Sequence, residues 1–239
     1  MSIVENITVA CPYCEKPVEF TAVHSVLADR RPDMRREILA NTLQAAQCPH
    51  CDAKFRREPR LNYLDIGRGQ WLLAKPAADV VNWPDLEAQA QGIFELGYGS
   101  LAPAPAQEIG RGLKVRVVFG WPALREKLLA AEHALDDVAL ECLKVRLLRS
   151  LDGPPMADTV ELRLEDVADA ALTFVWIDAD SEAVVEVMNV PRSLYEDTQR
   201  DAKGLATLRA RLEEGPFVDL NRLLIDPADR EALPAEAEA

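Results

Sequence analysis

Cys11, Cys14, Cys48 and Cys51 stand in two short runs of one form, Cys-Pro-Tyr-Cys and Cys-Pro-His-Cys. A Cys-x-x-Cys turn presents two thiolates from one tight loop, and two such turns facing each other complete the tetrahedral shell of a structural zinc site. The proline in each turn fixes one backbone dihedral and removes a donor, which leaves the following amides to point at sulfur. The same spacing occurs in thiol oxidoreductases, where the first cysteine opens a helix whose N-terminus lowers its pKa. Here Glu15-Lys16-Pro17-Val18 and Asp52-Ala53-Lys54-Phe55 lead toward strands instead. The expectation is one structural Zn2+ held by these four cysteines, with no open position for a substrate. Glu15 and Asp52 follow the pairs where a turn of this kind often requires positive φ, and aspartate tolerates that better than glutamate. The first turn is therefore expected to be the more strained. Four thiolates around a divalent ion carry a formal charge of about −2, which Lys16, Lys54, Arg56 and Arg57 are near enough in sequence to offset.

Other chemistry-bearing residues lack such a pattern. His50 lies inside the second turn and reads as a surface residue, since four thiolates already fill the shell. His24 and His133 have no ligand spacing. Cys142 falls on an apolar helix face and reads as a buried, inert thiol. Asp178, Asp180, Glu182 and Glu186 read as the solvated side of a strand and turn. No phosphate-binding loop, dinucleotide fingerprint, metalloprotease pair or nucleophile elbow is present, and Gly67-Arg68-Gly69 is too short to be one.

The elements that must position the cysteines follow from periodicity and turn residues. Ile7–Ala10 and Pro17–Thr21 read as two strands flanking the first pair. Between the pairs, Pro32, Asp33, Met34 and Ile38 open a helical segment running toward Gln47. A strand over 54–57 follows the second pair, then a hairpin around Gly67-Arg68-Gly69 and a short helix over 85–94. The alternating Ala and Pro of 101–107 suggest an extended surface connection. Residues 113–119 form the clearest strand, followed by helices over 121–132 and from about Leu135. Leu140, Leu143 and Leu147 widen the apolar face of the second helix, which should be buried against more than one element. Strands over 159–164, 171–177 and 183–188 and short helices to about 225 complete the chain. Tyr63-Leu64-Asp65 and Trp176-Ile177-Asp178 open similar runs of features, read as two ordinary hairpins.

Composition bounds the reading. Of 239 residues, 49% are hydrophobic and 28% charged, which describes a folded globular chain. The net charge of −13 is uneven: residues 151–239 hold eight Lys/Arg against twenty-one Asp/Glu, whereas residues 1–60 hold nine against eight. An acidic surplus repels nucleic acid over distance and suits solubility or a basic protein partner. No apolar run approaches the roughly 20 residues of a membrane span, and four of five cysteines in close pairs do not resemble a secreted disulfide framework. No membrane association and a cytoplasmic setting are the expectations.

The two Cys-Pro-x-Cys turns, the long insertion between them and the stretch from Arg116 to Lys127 resemble the bacterial CpXC family over about residues 7–150. The resemblance maps the family's cysteines onto Cys11, Cys14, Cys48 and Cys51 and its prolines onto Pro12 and Pro49. It implies a bacterial cytoplasmic protein with a metal-binding N-terminal module and supplies no catalytic residue. The expected fold is α+β: a zinc-ribbon-like N-terminal module with a helical insertion, joined to a mixed helix and antiparallel-sheet core. Residues 1–150 would form the CpXC-like domain, with the split ribbon in about 1–60, followed by an α+β extension over 151–225 and an acidic flexible tail over 226–239. The expected function is a non-catalytic, zinc-stabilised interaction or scaffold module for a protein partner. The alternatives are nucleic-acid binding through the basic segments 30–36 and 56–60, and an enzyme of unrecognised type.

Overall fold

The computed structural model describes residues 2–153, 155, 159–201 and 203–225. The acidic tail expected over 226–239 lies outside the described residues.

Strands β1 (Ile3–Ala10) and β2 (Pro17–Leu27) form an antiparallel hairpin closed at Ala10 and Pro17, with the first cysteine pair at its tip. Helix α1 (Pro32–Leu39) follows, with Pro32 and Asp33 in its first turn, where a missing amide is harmless and a carboxylate favours the dipole. The helical segment expected to run to Gln47 stops at Leu39. Asn41 and Gln44 take left-handed backbone, φ 57° and 58°, which no right-handed helix accommodates. The chain then enters β3 (Ala45–Gln47), paired antiparallel with β4 (Lys54–Arg56). The second cysteine pair caps that smaller hairpin.

The C-terminal half of β2 pairs in parallel with β5 (Leu61–Asp65), which turns back antiparallel into β6 (Gln70–Lys75). A 3-10 turn (Ala77–Asn82), α2 (Trp83–Gly97) and α3 (Ala104–Gly110) then carry the chain to β7 (Lys114–Phe119), parallel to β6. The sheet order is β1-β2-β5-β6-β7. Its two parallel pairings add to the antiparallel hairpins expected, and each needs a long crossover. Helix α3 corrects the extended connection read from the Ala-Pro run. Its N-cap is Pro103 and Pro105 lies in the first turn, where no intrahelical amide is needed. Gln107 Nε2 ties the helix back by donating to the carbonyls of Ser100 and Ala102 at 3.3 and 2.8 Å.

Helices α4 (Gly120–Glu132) and α5 (Asp137–Ser150) lead to an antiparallel sheet, β10-β9-β8, built from β8 (Val160–Val167), β9 (Ala171–Asp178) and β10 (Val184–Pro191). Short helices α6 (Arg192–Arg200), α7 (Ala206–Leu212) and α8 (Asn221–Leu224) follow. Strand alternation divides the large sheet between two cores. Leu72, Ala74 and Val118 face Ile38 of α1 and Trp121, Leu124 and Leu128 of α4, while Trp71, Leu73, Val117 and Phe119 face α2 and Phe217. Helix α5 is buried on several sides, as its broad apolar face requires. Leu140, Leu143 and Leu147 join Leu162, Phe174 and Trp176, while Val138 and Cys142 pack with Leu212 and Val218. Asp136 caps α5 by accepting from the amides of Val138 and Ala139 at 2.9 and 3.2 Å. Among the described residues, no helix is long and apolar enough to cross a membrane.

Candidate metal centre

The two hairpin tips face each other and bring all four cysteine sulfurs within 4.8 Å of one another. Cys11 Sγ lies 3.7 Å from Cys51 Sγ, and Cys14 Sγ lies 3.7 Å from Cys48 Sγ. Zn–S bonds of about 2.3 Å at tetrahedral angles place sulfurs about 3.8 Å apart. The donor set and its spacing thus fit a divalent ion held by thiolates. The two turns are alike in detail. In each, the residue after the second cysteine bonds back to the first, Glu15 N to Cys11 O and Asp52 N to Cys48 O, both at 2.9 Å. In each, the first cysteine amide closes the hairpin, Cys11 N to Lys16 O at 2.9 Å and Cys48 N to Ala53 O at 2.8 Å. Glu15 and Asp52 have φ of 58° and 61°, the left-handed turn foreseen for those positions.

The cluster sits on a small apolar base of its own. Cys11, Cys48 and Val18 are buried, with Val9 and Phe55 packed against them, and Phe55 stacks on Phe20 at 6.3 Å between centroids. Burial raises the Cys48 thiol, but the amides of His50 and Cys51 and the neighbouring thiols outweigh it and hold the pKa down to about 6. At Cys51 the amide of Ala53 favours the thiolate, yet burial and the other three cysteines together push its pKa up to about 12. Without a cation, four thiols this close cannot all ionise; a divalent ion removes that conflict.

Other sequence-predicted residues separate from this cluster. His50 is exposed and meets Cys48 Sγ through its amide, at 3.4 Å. His24 is exposed beside Glu5, and His133 ends α4. Cys142 is fully buried, which pushes its thiol up to about 11. Among the basic segments, Arg31 pairs with Asp33, Arg35 with Glu132, Arg56 with Glu182 and Arg60 with Asp79. Arg56, near enough in sequence to offset the thiolate charge, directs its guanidinium to Glu182. Glu182, expected on a solvated face, is the partner that holds it.

Residues 9–144 match the family model described as CpXC protein, a span that takes in both cysteine turns, the sheet from β2 through β7, α4 and the first half of α5. The chain belongs to the CpXC family. No curated protein and no solved structure matches it.

The C-terminal strands of this CpXC protein lie beyond the matched span yet meet it in a buried ionic network that no motif announced. Lys144 Nζ donates to Glu126 and Glu141 at 2.6 and 3.0 Å, and all three side chains are at most 1% exposed. Arg163 of β8 bonds Asp219 and Glu161 and lies 3.4 Å from Glu126. The remaining Glu126 and Glu141 oxygens accept from the amides of Leu164 and Leu220 at 2.6 and 2.9 Å. Lys127 adds contacts to Asp137 at 3.3 Å and the Val218 carbonyl at 2.6 Å. Oxygens of Glu126, Glu141 and Asp219 lie within 4.8 Å of one another, but the Lys144 ammonium bonds two of these carboxylates and supplies the cation among them. In sequence, Glu126-Lys127 and Glu141 with Lys144 three places on are the pattern of a solvated helix face. Only the strands packed over them show otherwise.

Proposed function

We propose that this CpXC protein is a non-catalytic scaffold whose cysteine cluster holds one structural Zn2+ and fixes a ribbon for recognition of a protein partner. The observation that carries the reading is the closed set of four sulfurs from two equivalent hairpin tips. Four protein ligands complete a tetrahedral shell and leave the ion no position at which to polarise a substrate. The short hairpin of β3 and β4 has only a small apolar base, and in such a segment metal binding supplies folding free energy. Tyr13, 70% exposed at the first tip, is an aromatic anchor of the kind that dominates protein interfaces. The acidic last third favours a basic partner by steering. Thiols must stay reduced to hold the metal, which suits a cytoplasmic setting. Inward pairing of Arg35 and Arg56 supports a protein partner over the nucleic-acid alternative.

Elemental analysis of the purified chain should find about one zinc per molecule, and Cys48→Ser should lose the metal and the amide protection of residues 1–60. Protein isolated from its native cell should retain its partner in the wild type and lose it in Tyr13→Ala with zinc still bound. A metal-free chain with the ribbon intact would sink the zinc assignment. Salt-dependent binding of RNA or DNA, abolished by changing Arg30, Arg36 and Arg57 together, would replace the partner assignment with the nucleic-acid one.

A further inference from the structure

A cavity of about 400 Å³ opens between the large sheet and the turn from α4 to α5, within the size range of small-molecule sites. Its sheet side follows from strand register. Gln70 pairs with Lys114 and Leu72 with Arg116 across β6 and β7, and alternate residues along a strand share a face. The helix side is Lys127, Ala130 and Ala131 of α4, with Leu135 and the start of α5 beyond. The β5–β6 turn brings Arg68 into the lining. Gly69 in that turn has φ 62°, and a Cβ there would lie 2.7 Å from the Gly112 carbonyl oxygen, so only glycine permits the approach.

The lining reverses the charge of the chain. Against a net charge of −13 overall, it gathers Arg68, Lys114, Arg116 and Lys127 and only two acids, Asp136 and Asp137. Asp137 is taken up by Arg116 at 2.6 Å and Lys127 at 3.3 Å, and Asp136 by Arg209 at 3.1 Å. Arg68 is shared with Asp65 at 3.2 Å, whereas the exposed Lys114 makes no ion pair within 4 Å among the described residues and acts on Asp137 only from farther off. Gln70 is only 7% exposed and donates through Nε2 to the Lys127 carbonyl at 2.9 Å, which fixes the floor of the cavity. The cavity therefore combines an exposed lysine, a shared arginine and an apolar wall.

We propose that this cavity binds a small organic anion, a carboxylate or a phosphomonoester. Lys114 and Arg68 take the anionic group, and Leu135, Ala131 and Ala134 cover the carbon skeleton. None of the lining residues belongs to the cysteine turns, so the proposal stands apart from the zinc reading.

Calorimetric titration of the full-length, metal-loaded protein would use glycerol 3-phosphate and AMP as one arm, malate and glutamate as the other, and inorganic phosphate as the bare anion. One organic arm should bind saturably, and inorganic phosphate should bind about tenfold more weakly. Lys114→Gln, an exposed position, should weaken the organic ligand about tenfold, and Ala131→Phe, which fills the cavity, should abolish binding. Unchanged melting of both variants would show that the loss is local. No saturable heat with any probe, or binding that survives both substitutions, would overturn the proposal; inorganic phosphate binding as tightly as the organic anion would overturn the role of the apolar wall.

Discussion

Arg56 Nη1 lies 3.1 Å from Glu182 Oε2, with the guanidinium 4.0 Å from the centroid of the Trp121 ring. One side chain from the β3–β4 hairpin thus meets the first turn of α4 and the tip of the β9–β10 hairpin. Its Nε donates to the Leu43 carbonyl at 2.9 Å, and Trp121 Nε1 donates to the Arg57 carbonyl at 2.8 Å. The contact carries the β3–β4 hairpin, with its cysteine pair, onto the rest of the protein. Glu182 reaches it from left-handed backbone, φ 54°.

Glu182→Gln should therefore lower stability by about 1–2 kcal/mol, the range for a hydrogen bond to a charged group that is only partly solvated. The loss should appear in the denaturant midpoint with the m-value unchanged. A double-mutant cycle with Arg56→Met should return a coupling of about 1 kcal/mol or more. Additive effects would mean that the aromatic contact, not the ion pair, carries the docking.

How far the sequence disclosed this arrangement depends on the range of each interaction. The cysteine turns, the positive φ after each, the Gly67–Gly69 hairpin and the strands and helices from 113 to 150 are written in residues a few places apart, and they stand where local chemistry puts them. Asp65 and Asp178 both accept the amide three residues on, Arg68 N at 2.9 Å and Ser181 N at 2.8 Å, so the two similar runs share ordinary turn chemistry. The shortened α1 and the helix at 104–110 were hidden because proline and asparagine signals allow either outcome until packing decides. The Arg56–Glu182 pair spans 126 residues, and nothing local selects it. Polar residues of the buried network were hidden for the opposite reason, since their local pattern is that of a helix facing water.

Lys144→Met tests that network. Methionine fills the space but leaves Glu126 and Glu141 buried side by side without their shared cation. Removing one partner of a buried ion pair costs about 3–5 kcal/mol. The melting temperature should fall accordingly, whereas Lys16→Met on the exposed first turn should leave it unchanged. A neutral outcome at Lys144 would mean that water or Arg163 satisfies both carboxylates.

Glu141 adds a pH dependence of definite sign. Burial, with Glu126 and Asp219 nearby, outweighs Lys144 and pushes its carboxyl from an ordinary value near 4.5 up to about 7. The folded chain therefore keeps a proton that the unfolded chain releases, and stability falls as pH rises from about 4.5 to about 7. Asp219 acts oppositely. Burial alone would raise it, but Arg163 and Lys144 hold it down to about 2, so its contribution is present above the unfolded value near 3.8 and lost as pH falls toward 2. Folding at pH 6 should take up protons, measurable as a dependence of the calorimetric enthalpy on buffer ionisation. Glu141→Gln should remove that uptake and flatten the stability profile between pH 4.5 and 7.

The two cysteine turns also differ in strain, although their backbones are the same. Left-handed backbone costs a residue with an ordinary Cβ about 1–2 kcal/mol, and aspartate suffers less because its short side chain bonds locally. Asp52 does so here: its carboxylate accepts from Gln47 Nε2 at 2.5 Å. Glu15 has no corresponding side-chain partner among the described residues. Glu15→Gly should therefore stabilise the metal-bound protein by about 1 kcal/mol, while Asp52→Gly should give no gain because relief of strain is offset by loss of the Gln47 bond. Chemical denaturation of both variants, each checked for one bound metal, measures the difference. Equal gains would mean that the Gln47 bond contributes nothing and that backbone conformation alone sets the cost of both turns.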